Sequence, residues 1–256
     1  MSWDRTEVSG MTSTRSKFEG VVFDLGETLY RPAHDFCVEF LTRLGIRQHI
    51  GLPYDQLVRL LEDSAGRWLD QYMIDNGVGQ YWKPSHQIWV EYSKRFLIAL
   101  GVNEDIDELA VKYEELWERT LSSRRPTLIE GCRETLEELR NAGIRLGVAS
   151  NRFDDPRPML QQDGILHFFD AVEYSNVPRY RKPNPFMLQR VAHRLRLPPE
   201  KCVYVGNKVD DDVVAAQRTQ MQPVLITWCH SGQIQTPLPE GVIVIDHISQ
   251  VLDIVL

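Results

Sequence analysis

The chain has 256 residues, of which 43% are hydrophobic and 25% charged, a composition typical of a globular protein with a sizeable core. A formal net charge of −7 offers no basic surface that would neutralise many phosphates, which argues against a general nucleic-acid binder. No apolar run approaches the ~18 residues that span a bilayer, so we expect no membrane segment.

Residues 1–16 are polar, include acids and lack the apolar run of a secretory signal, which predicts a mobile tail. The cysteines Cys37, Cys132, Cys202 and Cys229 lie far apart and form no C-x-x-C pair. They fit the reduced thiols of a cytoplasmic protein better than a disulfide framework or a zinc site. We therefore expect a cytoplasmic protein, either a monomer or a homodimer.

The first predicted strand covers residues 20–25, and a purely helical segment follows it between residues 34 and 124. Apolar residues recur there at helical spacing, as at Leu57, Leu60 and Leu61. Gly and Pro stand at the joints, which predicts a four-helix unit. The four predicted stretches are 36–46, 53–73, 85–101 and 103–121.

From about residue 125 onward, strands and helices alternate. The predicted strands are 144–150, 168–175, 201–206, 222–228 and 241–246, and the predicted helices are 130–143, 157–164, 184–197, 210–220 and 247–256. This alternation predicts a parallel sheet covered on both faces.

The predicted fold class is therefore α/β, a Rossmann-like parallel sheet with an inserted helical cap. Residues 17–33 and 125–256 form the predicted core domain, and residues 34–124 form the predicted four-helix cap domain. Because the insertion follows the first strand directly, it should lie over the carboxyl ends of the strands, where such sheets bind ligands. A helical unit in that position can act as a lid.

Polar residues follow several predicted strands. Asp24 ends the first strand, where a carboxylate can be a nucleophile or metal ligand, although Asp also starts turns. The Thr28 hydroxyl can contact an anion or cap a helix. Ser150 and Asn151 end the next strand and can hold a phosphate oxygen, or simply form a turn. Lys182, before a proline and a helix, can neutralise a phosphoryl group or be an ordinary surface lysine.

An acidic cluster follows the strand at 201–206. Asn207 comes first, and three successive aspartates, 210–212, open the next helix. Acids at a helix start stabilise its dipole, but three in a row exceed what a cap needs. Clustered oxygen ligands suit Mg²⁺.

The order of these residues resembles the haloacid dehalogenase-like (HAD) hydrolase superfamily. "FDLGETL", "VASN", "YRKPNP" and "VGNKVDDD" look like its four motifs in turn, and the resemblance covers residues 18–256. The inserted helical segment is similar to the cap of subfamily I. This resemblance implies a hydrolase of the phosphatase type that acts on a small phosphorylated metabolite.

The resemblance also implies roles for individual residues. Asp24 would be the nucleophile that forms an aspartyl phosphate, and Lys182 would balance charge on Asp24 and the phosphoryl group. Thr28, Ser150 and Asn151 would contact phosphate.

The same resemblance implies a Mg²⁺ site. Its ligands would be Asp24, the backbone carbonyl of Gly26, Asn207, Asp211 and Asp212.

Two positions depart from the family pattern. Most phosphatases of this superfamily carry a second aspartate two residues after the nucleophile, as general acid and base, and this chain has Gly26 there. Losing such a group costs about 10²–10⁴-fold in rate. The fourth motif usually reads Gly-Asp, and this chain has Asn207, which removes one negative charge from the predicted metal site.

Three hypotheses accommodate these departures. In the first, the chain is a phosphatase. Either Glu27, otherwise an ordinary turn residue, takes the acid–base role, or the substrate has a leaving group that needs no proton. Alternatively it is a dehalogenase, since halide leaves unprotonated. The third hypothesis is a catalytically impaired protein that binds a ligand or a partner.

Overall fold

The computed structural model describes residues 17–31, 36–46, 51–123, 125–229 and 237–256. Six parallel strands form the central sheet in the order β5-β4-β1-β6-β7-β8. The strands are β1 Gly20–Phe23, β4 Arg145–Ser150, β5 Ala171–Tyr174, β6 Cys202–Gly206, β7 Gln222–Ile226 and β8 Ile243–Ile245. The predicted α/β class is confirmed.

The first strand lies at the centre of the sheet, paired with β4 on one side and β6 on the other. Its Phe23 stands level with Val148 and Val205. Because all three strands run in the same direction, the residues that follow them meet at one edge. That edge holds the predicted site.

Both faces of the sheet are covered by helices, as expected from the buried strands. Val21 and Phe23 belong to one apolar cluster and Val22 to the other, in keeping with the alternation of side chains along a strand. Helix α8 packs so closely that a Cβ atom at Gly147 would lie 2.4 Å from Val191. The covering helices are α6 Cys132–Asn141, α7 Arg157–Gln162, α8 Phe186–Leu195, α9 Val214–Thr219 and α10 Gln250–Val255.

The segment between residues 31 and 127 is helical in its described part and has an apolar cluster of its own. Its helices are α1 Phe36–Arg43, α2 Tyr54–Leu61, α3 Arg67–Asp75, α4 His86–Ala99 and α5 Ile106–Ser123. Helix α2 continues into α3 through a π-helical turn, Glu62–Gly66, so the segment contains the four predicted helical stretches. We call residues 36–123 the helical unit.

A two-stranded ladder closes the neck of the helical unit. Tyr30–Arg31 (β2) pairs antiparallel with Thr127–Leu128 (β3), a contact that the sequence pattern did not predict. It holds the entry and exit of the insertion side by side. The predicted boundaries at 33/34 and 124/125, and the predicted tail at 1–16, involve residues outside the described ranges and remain predictions.

In the described part of the chain, no helix has both the length and the apolar character needed to cross a membrane. Cys132, Cys202 and Cys229 are free thiols, and the side chain of Cys37 lies outside the description.

Glu114 is a buried carboxyl inside the helical unit, 3% exposed, between α5 and α4. Burial raises its pKa from 4.5 to about 7, the charge of Glu118 adds to the shift, and His86 and the Ser93 hydroxyl oppose it. Between these two pH values the folded chain holds a proton that the unfolded chain has lost. The free energy of unfolding should therefore fall as pH rises through this window.

Replacing Glu114 with glutamine should reduce the pH dependence of the free energy of unfolding. The slope should decrease by up to about 1 kcal/mol per pH unit, a figure that allows for solvent screening. Urea unfolding at several pH values between 4.5 and 7 measures it. Glu115→Gln, at an exposed position on the same helix, is the matched control and should keep the wild-type slope. A Glu114→Gln slope equal to that of wild type would contradict the assignment.

Candidate active site

The carboxyl ends of β1, β4 and β6 surround a cavity of about 380 Å³, which we call the catalytic cavity. Asp24 directly follows β1, and its backbone N–H donates to the Val205 carbonyl at 2.9 Å, which fixes the start of the loop. The predicted site residues that line this cavity are Asp24, Gly26, Glu27, Ser150, Asn151, Lys182, Asn207, Asp211 and Asp212. They come from four separate stretches of sequence, 24–27, 150–151, 182 and 207–212.

Lys182 is the centre of the site and is 2% exposed. Its ammonium donates to Asp24 Oδ1 at 2.7 Å, to Asp212 Oδ1 at 2.6 Å and to the Tyr204 hydroxyl at 2.7 Å. These three bonds use all three of its protons. The lysine is therefore held in one position beside the Asp24 carboxylate.

The charges of this cluster are strongly coupled. Burial raises the pKa of Asp24, Lys182 opposes the rise, Asp212 adds to it, and a hydrogen bond from Ser150 opposes it. Burial alone would lower the pKa of Lys182, but the charges of Asp212 and Asp24 outweigh it, so the pKa is raised. Lys182 therefore stays charged and opposes the effect of burial on Asp24, whose pKa is raised overall.

Asp212 positions other groups of the site. Its Oδ1 accepts from Lys182, while its Oδ2 accepts from the backbone N–H groups of Asn207 at 3.0 Å and Lys208 at 2.9 Å. A Cβ atom at Gly206 would lie 2.3 Å from the Asp212 carboxyl carbon, so only glycine fits there. Both carboxylate oxygens thus bind groups of the protein itself, and the predicted metal role of Asp212 remains a prediction.

Asn151 holds the backbone of Lys182. Its Oδ1 accepts from the Lys182 N–H at 2.8 Å, and its Nδ2 donates to the Lys182 carbonyl at 3.1 Å. Thr28 is completely buried and does not line the cavity, and its hydroxyl has no hydrogen-bond partner among the described residues. The predicted phosphate contacts of both residues remain predictions.

Gly26 leaves open space where the family carries its second aspartate. A Cβ atom there would meet nothing within 4 Å among the described residues. The neighbouring Glu27 has a left-handed backbone, φ 57°, and its Oε2 accepts from Asn207 Nδ2 at 2.8 Å. The two atypical positions of the sequence, 26 and 207, are therefore close in space.

Tyr204 belongs to the Lys182 cluster but was not predicted, because "KCVYVG" has the pattern of an ordinary buried strand. Its ring is 1% exposed, and its hydroxyl, besides accepting from Lys182, lies 3.0 Å from the Ala149 carbonyl and 3.1 Å from Asp212 Oδ1. A buried tyrosine hydroxyl usually needs a hydrogen-bond partner, so a tyrosine within a buried strand could have indicated a polar group nearby.

Replacing Tyr204 with phenylalanine should lower the free energy of unfolding by about 1–3 kcal/mol, because a Lys182 N–H and the Ala149 carbonyl lose their partner. Denaturant unfolding measures it, with Tyr174→Phe, at a partly exposed ring, as control. An equal free energy of unfolding for Tyr204→Phe and wild type would show that the hydroxyl does not contribute to stability.

A second cavity of about 580 Å³ lies between the helical unit and the sheet, and we name it the leaving-group cavity after the role that we propose for it. Asn151, Lys208 and Asp211 line both cavities, so the two adjoin. Burial raises the pKa of Asp211, and the charge of Lys208 opposes the rise. Of the aromatic residues of the helical unit, Trp89 and Tyr92 line this second cavity.

The oxygen atoms available to a metal ion are few. Among the described residues, no three His, Cys, Asp or Glu side chains lie close enough to hold a metal by themselves. The catalytic cavity does bring together the Asp24 and Asp211 carboxylates, the Asn207 amide and the Gly26 backbone. This oxygen-only set fits Mg²⁺, which needs one or two carboxylates and keeps several waters.

The family model for haloacid dehalogenase-like hydrolases matches residues 18–219. The chain belongs to this family. It is a hydrolase, and the predicted superfamily is confirmed.

Relatives with assigned names are similar over most of the chain. It is 28% identical over 211 residues to a glyceraldehyde 3-phosphate phosphatase of Methanothermobacter thermautotrophicus, covering 81% of this chain and 85% of the relative. It is 29% identical over 264 aligned residues to a phosphoglycolate phosphatase of Vibrio vulnificus, covering 95% and 98%.

A crystal structure described as a predicted phosphoglycolate phosphatase from Haemophilus somnus superimposes with a TM-score of 0.61 at 18% identity, covering 96% of this chain and 99% of the other. At this identity the likeness shows the fold alone.

Proposed function

We propose that this hydrolase is a Mg²⁺-dependent phosphatase of a small phosphorylated metabolite, with Asp24 as the nucleophile. The observation that carries the proposal is the buried contact of 2.7 Å between Asp24 and Lys182 at the wall of the catalytic cavity. A carboxylate paired with a fixed cation, at the carboxyl ends of parallel strands, supports a role in attack on phosphorus.

In the proposed reaction, Asp24 Oδ2 attacks phosphorus, the leaving group departs with its electron pair, and an aspartyl phosphate remains. Lys182 holds Oδ1 and balances the charge that collects around the phosphoryl group. Water then hydrolyses the aspartyl phosphate and regenerates Asp24. Ser150 and Asn151 are the proposed phosphate contacts on the cavity wall, and Thr28, whose buried hydroxyl has no partner among the described residues, is a third proposed contact.

Positive charge from a metal is needed for a dianionic substrate to enter. The walls of the two cavities carry seven carboxylates and five cationic side chains, a net charge of −2. Asp24, Asp211, Asn207 and the Gly26 carbonyl are the proposed Mg²⁺ ligands, with Asp212 beside them. When bound, Mg²⁺ would neutralise phosphoryl oxygens during transfer.

The gap at Gly26 limits the substrates. No side chain there protonates the leaving oxygen, so acyl and aryl phosphates should react fastest. Glu27 is the remaining candidate acid, and its hydrogen bond to Asn207 places it on the same cavity wall.

The proposal extends to the substrate class, the location of the enzyme in the cell and the role of the helical unit. The relatives named after glyceraldehyde 3-phosphate and phosphoglycolate support a small phosphorylated metabolite as substrate. We propose a cytoplasmic enzyme, monomer or homodimer, that acts on neither nucleic acid nor membranes. The helical unit, within the predicted cap at 34–124, would close over the substrate.

The test is hydrolysis of acetyl phosphate, p-nitrophenyl phosphate and a panel of sugar and three-carbon phosphates, with Mg²⁺ or with EDTA. We expect phosphate release that needs Mg²⁺ and is fastest with acetyl phosphate. No release from any member of the panel would overturn the proposal and favour the ligand-binding alternative. Halide release from 2-haloacids in EDTA would favour the dehalogenase.

A further inference from the structure

The charged residues of the leaving-group cavity carry an inference about substrate class that rests on the proposed function. If the phosphoryl group lies beside Asp24, the rest of the substrate extends into this adjoining cavity. Its volume of about 580 Å³ suits a small metabolite. The charges on its walls then select among leaving groups.

Arg181 is the cation best placed to bind a second anionic group, since it directly precedes Lys182 and lines the cavity. Both of its terminal nitrogens, however, bind Asp70 of helix α3, at 2.8 Å and 2.6 Å. This two-point pairing satisfies the guanidinium with the geometry that a substrate carboxylate would otherwise use. The Asp70 carboxylate therefore occupies the two nitrogens of Arg181 that could otherwise bind a substrate anion.

The other cations of this cavity also have acidic neighbours. Arg67 bonds Asp63 at 2.6 Å, and Lys208 lines the cavity together with Asp211. In total, four carboxylates and three cations line the cavity. A second negative charge would therefore enter a cavity that is already negative, and like-charge contacts of this kind exclude wrong ligands.

One part of the remaining wall is apolar. Leu69, Met73, Trp89 and Phe153 line it, and the rings of Trp89 and Phe153 pack edge to face at 5.6 Å. Such a wall accepts an uncharged carbon skeleton.

We propose that this enzyme selects phosphate esters and anhydrides whose leaving group carries no second negative charge, and that Asp70 determines this specificity by occupying Arg181. Substrates with a carboxylate or a second phosphate on the leaving group are excluded. Removing the charge of Asp70 frees Arg181 to bind such a group.

The test compares kcat/KM for D-glyceraldehyde 3-phosphate and 3-phosphoglycerate, which differ by an aldehyde against a carboxylate at one carbon. The unmodified enzyme should prefer the aldehyde about tenfold or more. Asp70→Asn should raise the relative kcat/KM for the carboxylate about tenfold, the usual effect of a charge-assisted hydrogen bond. Asp63→Asn, which frees Arg67, should shift the ratio in the same direction.

Asp75→Asn is the matched control, because it removes one exposed charge from the same helix, where Asp75 pairs with Gln71 rather than an arginine. Its ratio should equal that of the unmodified enzyme. An unchanged ratio in Asp70→Asn, whatever Asp63→Asn shows, or a wild-type preference for 3-phosphoglycerate, overturns the inference.

A binding measurement separates this inference from the proposed function. Both ligands are titrated calorimetrically into Asp24→Asn and into Asp24→Asn/Asp70→Asn. If no phosphate is hydrolysed but the affinity for 3-phosphoglycerate rises in the double variant, the proposed function fails and the charge selection stands. If phosphates are hydrolysed but neither the rates nor the affinities respond to Asp70, the charge selection fails and the phosphatase stands.

Discussion

Replacing Asp24 with asparagine should lower kcat for acetyl phosphate by about 10⁴-fold or more, the size of effect seen when a nucleophile is removed. The amide keeps the shape of the side chain but cannot form the acyl phosphate bond. Phosphate release with Mg²⁺ present measures the effect. Residual turnover within tenfold of wild type would contradict the nucleophile assignment.

The same variant should fold normally. Lys182 keeps Asp212 as its charged partner at 2.6 Å, so no buried cation is left unpaired. Because burial raises the pKa of Asp24, a neutral side chain at that position relieves a desolvation cost. Thermal unfolding should therefore show a melting temperature no lower than that of wild type. Asp210→Asn, at an exposed acid of the neighbouring cluster, controls for loss of charge and should keep full activity.

Replacing Gly26 with aspartate should produce a gain of activity that depends on the leaving group. The new carboxyl would lie where the family carries its general acid, and such a group is worth about 10²–10⁴-fold. For alkyl phosphates, whose leaving oxygen needs a proton, we expect kcat/KM to rise about 10²-fold. For acetyl phosphate, kcat/KM, which reports the transfer to Asp24, should change little, because acetate leaves unprotonated.

The structure offers room for this change. A Cβ atom at Gly26 meets nothing within 4 Å among the described residues, and Gly26 is not among the residues with a left-handed backbone. Gly26→Asn is the matched control, since it adds the same bulk without a proton to transfer. Equal gains for aspartate and asparagine, or no gain with alkyl phosphates, would contradict a missing general acid.

The parallel sheet, and the edge of it that carries the candidate site, were predictable from the sequence for a physical reason. Buried strands such as "IRLGVAS" have a continuous apolar pattern, and alternation with helices fixes a parallel sheet. In such a sheet the residues after each strand must meet at one edge. That rule brings Asp24 and Ser150 to one cavity, which Lys182 reaches from the loop between β5 and α8.

Contacts set by docking were not predictable in this way. Asp70 and Arg181 are 111 positions apart and meet only because the helical unit packs against the loop before α8. No local pattern encodes that orientation. The π-helical turn at 209–213 is a similar case, because it turns Asp212 rather than Asp211 toward Lys182.

We propose that Asp24 carries the phosphoryl group and that Gly26 leaves its hydrolysis without the general base usual in this family. The second half-reaction should therefore be slow, and the aspartyl phosphate should accumulate. The most direct measurement is to mix the enzyme with radiolabelled acetyl phosphate and Mg²⁺, quench in acid and locate the label by peptide mapping. We predict label on the peptide that contains Asp24, and none in Asp24→Asn. Turnover of acetyl phosphate without label on the wild-type protein, or label that persists in Asp24→Asn, would show that Asp24 does not carry the phosphoryl group.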